Sequence, residues 1–383
     1  MPAGSARRGS SLLATRLSAA DLAAYDPAAL EGAILLAPAR LTSGTLRKGT
    51  RLDVKAGNSL VAAARSGDLN QPVRLAWPDP DDLHEDEAAE ALAVAAAGAG
   101  IKRVPPRQSR LDLIAAWDGV LHIRSDALLR LNTIDSLELF TLFHGQIVEA
   151  RQVVASVKVA PHLISAGVVA AGVGIARENG RPIIDVRGYE AFDVGAIVTE
   201  PVSGSDLARF EAGVRTKLEA LGSRLRETRV IATADVDRAE REVRTALAEM
   251  VLERGLPIIL VGGVSAGDPL SPFYAALNGL GGRVLRHGVP AHPGSMIWLA
   301  ELGEGRLLGL PHCGMFAMAT AADLILPRML TGERITPQSL AELAHGGFWA
   351  RKCDSDSHPT REISRRRHPS RLRIQHEQLE TPG

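Results

Sequence analysis

The sequence has little cysteine, few aromatic residues, no excess of either charge and no long apolar run. Two cysteines in 383 residues, Cys313 and Cys353, exclude a disulfide framework, and neither has the Cys-x-x-Cys spacing of a zinc site. Aromatic residues make up only 4%, so the core must be built from aliphatic side chains. No apolar stretch reaches the ~18 residues of a membrane-spanning helix. The best one, Leu163 to Ala176, is short and rich in glycine and alanine, and reads as a buried segment. Lys plus Arg equals Asp plus Glu at 44 each, so no global field favours nucleic acid or an anionic membrane. Arg7 and Arg8 followed by Ser10 to Ala14 share features with a secretory leader. Arg16 and Asp21 break its apolar part and no cleavage site follows. The expectation is a soluble cytoplasmic protein, with no nucleic-acid or membrane partner.

What is present is an ordinary globular composition, 45% apolar and 23% charged, in a chain long enough for more than one core. Residues 1–24 are small and polar and are expected to be disordered. Residues 25–180 read as a mixed α+β region. In it, Gly32-Ala-Ile-Leu-Leu-Ala-Pro and Leu46-Arg-Lys-Gly-Thr-Arg-Leu look like two short strands turning at Ser43-Gly44. The cluster His84-Glu85-Asp86-Glu87 precedes an alanine-rich periodic run. It reads as a solvated helix start rather than a metal site, because consecutive helical residues do not share a face. Leu111 to Ile123 and Ala127 to Leu139 look helical, the second with Asn132, Asp135 and Glu138 at helical spacing. The run Ile147 to Val159 reads as a strand or strand pair, and Arg177 to Arg181 as a turn.

From 181 to 335 strands and helices alternate. Asp193–Thr199, Arg226–Ala232, Leu256–Val261 and Arg283–His287 are strand-like. Asp206–Leu221, Val236–Glu253, Leu270–Leu280 and Met315–Met329 are helix-like. This alternation predicts an α/β three-layer sandwich on a mainly parallel sheet, with ligands at the carboxyl ends of the strands. Met315, Met318, Leu324 and Leu326 read as core rather than a cofactor-lining stripe. Residues 336–349 form a segment expected to pack back, and 350–383 an Arg-rich flexible tail.

The sharpest motif is Gly262-Gly263-Val264-Ser265-Ala266-Gly267-Asp268, placed directly after an apolar strand. Its glycines open turn conformations closed to other residues and let a ligand approach the backbone. Successive amides there can form an anion nest beside the positive end of the next helix, with phosphate as the natural guest. A tight strand-to-helix turn capped by Asp268 fits the same residues. The loop is neither a Walker A sequence nor a Rossmann glycine fingerprint. Two more Gly/Pro loops follow at strand ends, Val289-Pro-Ala-His-Pro-Gly-Ser and Leu310-Pro-His-Cys-Gly.

The order GGVSAGD, ALNGLGGRVLRHGVPAHPGSMIWLAELGEGRLLGLPHCGMFAMA resembles the molybdopterin-binding domain of the molybdenum-cofactor biosynthesis proteins, including the molybdopterin molybdenumtransferases. The resemblance covers roughly Phe192 to Gly332. A weaker likeness upstream, through EGAILLAPARLTSGTLRKGTRLD, LNTIDSLELFTL and VVASVKVAP, is to bacterial proteins in which this module is fused to a cofactor nucleotidyltransferase. No glycine-rich nucleotidyltransferase loop with a downstream Arg and Lys is legible.

The resemblance implies an α/β sandwich that binds the pterin phosphate and dithiolene of molybdopterin, or its molybdenum-loaded form. Carried over residue by residue, the binding loop is Gly262, Gly263, Ser265, Gly267 and Asp268. Ser203, Gly204, Ser205 and Asp206 form the opposite wall, and Pro293 with Gly294 and Ser295, and Pro311 with His312, fall on the other signature loops. The resemblance makes Asp268 the catalytic and metal-holding residue, toward Mg2+ or molybdate. Partners would be a pterin-phosphate ligand and a cofactor nucleotidyltransferase or apo-oxidoreductase, with homo-oligomerisation open. Three departures bear on activity. Ser295-Met296 stand where the transferases carry lysine, His312-Cys313-Gly314 where they carry Gly-Asn-Pro, and Val261 where they carry threonine. The lost lysine removes a point charge for molybdate or phosphate. Two readings follow: molybdate insertion into adenylylated molybdopterin, and non-enzymatic carriage of the cofactor. Cys313 and His312 offer soft and borderline ligands for molybdenum or copper, although a cysteine more often packs as a small hydrophobe.

Overall fold

The computed structural model describes residues 13–69, 71–106, 110–310 and 320–348. The chain divides into two compact units between Arg187 and Gly188, past the 180/181 boundary read from the sequence.

Besides a small cluster of Ile34, Ala76 and Leu163, the first unit holds two main cores. In the smaller, Leu13–Leu17 and Ile34–Leu35 flank Val73–Trp77 in an antiparallel three-stranded sheet, packed against the helix Val54–Ser66. Leu22, Leu30, Leu35, Leu60 and Leu75 are fully buried between them. Residues 13–24, expected to be disordered, are therefore ordered. Leu17 and Leu22 supply apolar anchors, and Ser18 and Asp21 close a reciprocal capping box on the helix Ala19–Ala23. The hairpin expected over Gly32 to Leu52 is shorter, pairing Ala39–Leu41 with Gly44–Leu46.

The larger core lies between the helices Glu85–Ala96 and Ala166–Arg177 and a four-stranded antiparallel sheet. Leu111 to Ile123 is not helical. Arg110–Ala115 and Gly119–Ile123 are strands, because Leu111, Leu113 and Ala115 bury alternately, the period of a strand facing one core. The second expected helix stops at Asn132. Its side chain accepts from Leu139 N and donates to Leu139 O at 2.8 Å each, which fixes the start of the strand Leu137–Thr141 and puts Glu138 on it.

His84 does cap the helix at Glu85, as the acid-rich start implied. Glu85 is nevertheless buried rather than solvated, 2.6 Å from His162 Nδ1, while His84 Nε2 meets Gly49 O at 2.7 Å. Gly49 passes so close that a Cβ there would stand 2.5 Å from Glu85 Oε1.

The second unit carries the functional candidates. Its strands are β1 (Asp193–Val198), β2 (Arg224–Val230), β3 (Ile258–Gly262), β4 (Arg283–His287), β5 (Trp298–Leu302) and β6 (Gly305–Gly309). Its helices are α1 (Gly204–Ala220), α2 (Val236–Leu247, continued by a π-helical stretch over Ala248–Glu253), α3 (Pro272–Gly279), α4 (Ala322–Met329) and α5 (Pro337–Ala341). The sheet order is β2-β1-β3-β6-β5-β4, and every pair is parallel except β6–β5 and β5–β4. Five strands thus run one way and β5 alone runs back.

Both faces of the sheet are buried, which is why β1 and β3 read as continuous apolar runs rather than alternating ones. Val194, Ala196, Val198, Ile258 and Leu260 pack with Phe210, Val214 and Leu218 of α1 and Ile325 and Leu326 of α4. Ile197, Ile259 and Val261 face the other way, onto Val243, Ala246 and Leu247 of α2 and Phe273 and Leu277 of α3. The unit is a three-layer α/β sandwich on a mainly parallel sheet.

Carboxylates at the sheet's margins carry its charge pairing. Arg283, Arg306 and Arg334 surround Glu301 at 2.6, 2.9 and 3.4 Å, and Arg283 above all holds that carboxyl below its ordinary value. Hydrogen bonding from Arg224 does the same for Asp193. A lowered carboxyl contributes stability above its unfolded pKa, near 4, and loses it as pH falls through the folded value. Thermal stability is therefore expected to drop between about pH 5 and pH 3, and the Glu301→Gln variant to show a shallower drop from a lower starting point. A pH–Tm series on both proteins checks this; parallel curves would contradict it.

Candidate functional site

The parallel strands place five carboxyl ends on one edge of the sheet, those of β2, β1, β3, β6 and β4. Val230 pairs with Val198, Val198 with Gly262, Val261 with Gly309, Gly309 with Trp298 and Trp298 with His287, so a single row of residues marks this rim. The loops after β1, after β3 and between β4 and β5 all leave from it.

The loop after β3 is the barest. Gly262 ends the strand buried, and Gly263 takes φ +81°, a left-handed conformation that a side chain adopts only with strain. Space forbids a side chain as well, since a Cβ on Gly263 would stand 2.9 Å from Thr199 Oγ1 and 3.0 Å from Glu200 N. Thr199 is tied to the same loop, its amide and its hydroxyl both donating to Gly262 O at 3.0 and 3.1 Å. Next, Gly267 N donates to Ser265 Oγ and Leu270 N to Asp268 Oδ1, turning the chain toward α3. Among the described residues the amides of Gly263, Val264, Ser265 and Ala266 donate to no acceptor. Successive backbone amides of this kind are the donor set from which anion nests are built.

Two buried aromatic residues hold this loop from beneath. Trp298 Nε1 donates to Val264 O at 3.0 Å, and Tyr274 OH donates to Ser265 O at 3.1 Å. Burial, and secondarily the nearby charge of Asp268, pushes the Tyr274 phenol well above its ordinary value, so the hydroxyl keeps its proton and stays a donor. Ser265, Gly267 and Asp268 themselves are exposed on the rim.

The loop after β1 ends at the N-terminus of α1. Ser203 caps that helix by accepting from Asp206 N at 3.1 Å, and its hydroxyl lies 2.9 Å from Ser205 Oγ and 2.7 Å from Asp206 Oδ2. The Ser203 hydroxyl first, and Arg209 second, keep the Asp206 carboxyl below its usual range, so Asp206 is fully ionised at neutral pH. Gly204 follows as the first helical residue, exposed like Ser203 and Ser205.

The third loop meets the loop after β3 and the start of α4 at measurable points. A Cβ on Gly267 would stand 3.3 Å from Met296 Cε, and a Cβ on Gly294 2.9 Å from Ala321 N. Gly294 takes φ +107°, and the preceding His292–Pro293 bond is cis. His292 N donates to Gly347 O at 2.7 Å and its ring stacks on Phe348, so the segment after α5 returns to this loop. Ser295 is exposed beside it, its carbonyl accepting from Val289 N.

The structure therefore gathers Gly262, Gly263, Ser265, Gly267, Asp268, Pro293, Gly294 and Ser295 on one rim, with Ser203, Gly204, Ser205 and Asp206 on the loop that adjoins it through Thr199 and Glu200. Pro311, His312 and Cys313, the segment Met315 to Met318, the Arg-rich tail and Cys353 lie outside the described residues. Sequence reading missed Thr199, Tyr274 and Trp298, and it names Met296 only as a departure from the family's lysine. Only the aromatic pair left a signal, as two of the few aromatics in the second unit.

Metal chemistry finds less support. Among the described residues no three His, Cys, Asp or Glu side chains come together to hold a metal ion. One carboxylate, already accepting a backbone amide, does not build a resident Mg2+ site at Asp268, which would need further oxygen ligands. No described helix is long and apolar enough to cross a membrane.

No protein-family profile and no curated protein matches the chain. Among solved structures it is similar to the molybdopterin biosynthesis enzyme MoaB of Thermus thermophilus, at 16% identity over 37% of this chain and 98% of that one, TM-score 0.26. It is also similar to the molybdopterin biosynthesis MoeA protein of Pyrococcus horikoshii, at 14% identity over 68% and 80% of the two chains, TM-score 0.26. A third likeness is to a molybdenum cofactor biosynthesis protein of Pyrococcus furiosus, at 17% identity over 66% and 72%, TM-score 0.22. Similarity at this level transfers neither a ligand nor an activity.

Proposed function

We propose that the second unit binds the phosphate-bearing pterin of molybdopterin, or of the molybdenum cofactor, on the rim formed by residues 199–206, 262–268 and 288–297. The observation that carries this is the row of unpaired amides from Gly263 to Ala266, set in the one loop whose sequence most resembles the family signature. These donors take the pterin phosphate without any cationic side chain. The hydroxyls of Ser265, Ser203 and Ser205 add donors at the periphery. Asp268 and the ionised Asp206 reject a second dense anionic group and suit the N–H donors of the pterin ring, which orients the ligand with its phosphate toward the nest.

The role that follows is handling of the cofactor in its biosynthesis or delivery, with a nucleotidyltransferase or an apo-oxidoreductase as the receiving partner. Carriage is the reading favoured by Ser295-Met296 in place of the transferases' lysine, since the loop 288–297 then has no lysine to hold molybdate. Insertion of molybdate is the second reading, favoured by an aspartate at position 268 of the matching loop. The described residues do not build an Mg2+ site. The test is direct titration of molybdopterin onto the purified protein, with and without molybdate, on wild type and Asp268→Ala. Carriage predicts stoichiometric pterin binding, weakened about tenfold by the substitution, and no metal-loaded product over hours. Turnover abolished in Asp268→Ala would install the insertion reading, and absence of pterin binding would remove both.

A further inference from the structure

The first unit contains a cleft of about 200 Å3 lined by Ala37–Arg40, Asp68, Leu69 and Gln71–Arg74. It lies where the hairpin Ala39–Leu41/Gly44–Leu46 and the loop before Val73–Trp77 come together. Its charge is unusual. Arg74 sits on the exposed face of its strand, between the buried Val73 and Leu75, and pairs directly across the sheet with Arg16, also exposed. Like charges at opposed positions of an antiparallel pair repel and destabilise it. Arg40 lines the same cleft from the hairpin.

Among the described residues none of the three arginines has an ion pair or side-chain hydrogen bond, a state they share with Arg47, Arg151, Arg177 and Arg181 of the same unit; what sets them apart is the cleft and the direct Arg16–Arg74 opposition. Asp68, also on the cleft wall, pairs with none of them among the described residues and offsets only one of three charges. A repelling pair kept beside a concavity is what an anion site requires, because the ligand supplies the missing negative charge.

We propose that this cleft binds a small phosphomonoester through Arg40 and Arg74, with Arg16 adding field. A guanidinium presents paired donors matched to phosphate oxygens. The volume, below the several hundred Å3 usual for drug-sized ligands, fits a phosphate with a short hydroxylated stem. Asp68 and Gln71 provide an acceptor and an amide for that stem's hydroxyls. The site is independent of the pterin rim and stands or falls separately from it.

The experiment is hydrogen exchange on the full chain at constant ionic strength, with inorganic phosphate and ribose 5-phosphate as probes. The readout is protection of peptides covering residues 68–77, which separates this cleft from the amides of 263–266. Saturable protection by ribose 5-phosphate is expected, with at least a tenfold higher half-point in Arg40→Gln and in Arg74→Gln. Arg74→Lys, which keeps the charge and loses the fork, should fall between. Asp68→Asn should weaken ribose 5-phosphate relative to inorganic phosphate, which binds as tightly or more tightly because a negative charge leaves the cleft wall and only the sugar ester loses a hydroxyl contact. Arg16→Gln should raise Tm in the absence of phosphate by relieving the pair, and a circular dichroism spectrum like that of wild type confirms that each variant folds. Absence of saturable protection at 68–77, or protection of equal half-point in the Arg40 and Arg74 variants, overturns the proposal.

Discussion

Replacing Gly263 by valine is expected to abolish pterin binding, with an affinity loss of a hundredfold or more, while leaving most of the second unit folded. Two effects act together. A β-branched residue at φ +81° is strained by about 1–3 kcal/mol. Its side chain must also displace Thr199 and Glu200, which a Cβ would approach to 2.9 and 3.0 Å. Relief comes from the cheapest movement, withdrawal of the loop, and withdrawal scatters the four amides that form the nest. Gly263→Ala carries the same φ penalty with less bulk and should lose affinity by a smaller factor. Titration of pterin onto both variants, with Tm measured in parallel, checks the order. Equal binding by wild type and Gly263→Val would show that the loop is only a turn.

The second large effect is on stability. Trp298 is fully buried, packs 5.2 and 5.5 Å from the Phe273 and Tyr274 rings, and lies against Gly309, where a Cβ would come within 2.1 Å of its indole. Trp298→Ala leaves a cavity beneath the binding loop and is expected to cost about 3–5 kcal/mol. For a unit of this size that is a fall in Tm of roughly 10 °C. It also orphans Val264 O. Trp298→Phe separates the two contributions, keeping most of the packing and losing the hydrogen bond, for about 1 kcal/mol. Because the indole holds the loop from below, Trp298→Phe should weaken pterin binding by more than its small stability cost implies. Denaturant melts and pterin titration on both variants measure this. A Trp298→Phe protein with unchanged affinity would show that the loop keeps its shape without the bond.

The second unit was legible because its physics is repetitive. Strands buried on both faces give unbroken runs such as Ile258 to Val261, and the helices between them end on glycine, as at Gly222 and Gly255, both with positive φ. The signature loops carry glycines where the backbone needs φ > 0 or close approach, so Gly263 and Gly294 were visible as loop residues before any coordinates. What composition cannot show is which distant residues make the glycine necessary. Thr199 and Met296 are separated from their contacts by tens of residues, and only the sheet order brings them together.

The first unit was read less well, for a related reason. Leu111 to Ile123 reads as one helix, but Trp117-Asp118-Gly119 divides it into two short runs, and in runs that short a period of 2 and a period of 3.6 cannot be told apart. Asn132 ends a helix early through a side-chain bond to Leu139, a contact seven residues on that helix propensity does not encode. Residues 13–24 read as structureless because most of their apolar side chains are alanines, yet Leu17 and Leu22 suffice once a sheet and a helix are there to receive them.

A rim that holds a pterin phosphate should keep its ligand through purification. The full chain is purified without oxygen from a host that makes the cofactor, denatured, and oxidised to the fluorescent pterin, and pterin and molybdenum are counted per chain. The account predicts near one pterin per wild-type chain and almost none for Gly263→Val purified identically. Pterin absent from the wild type, or present equally in both proteins, would contradict it.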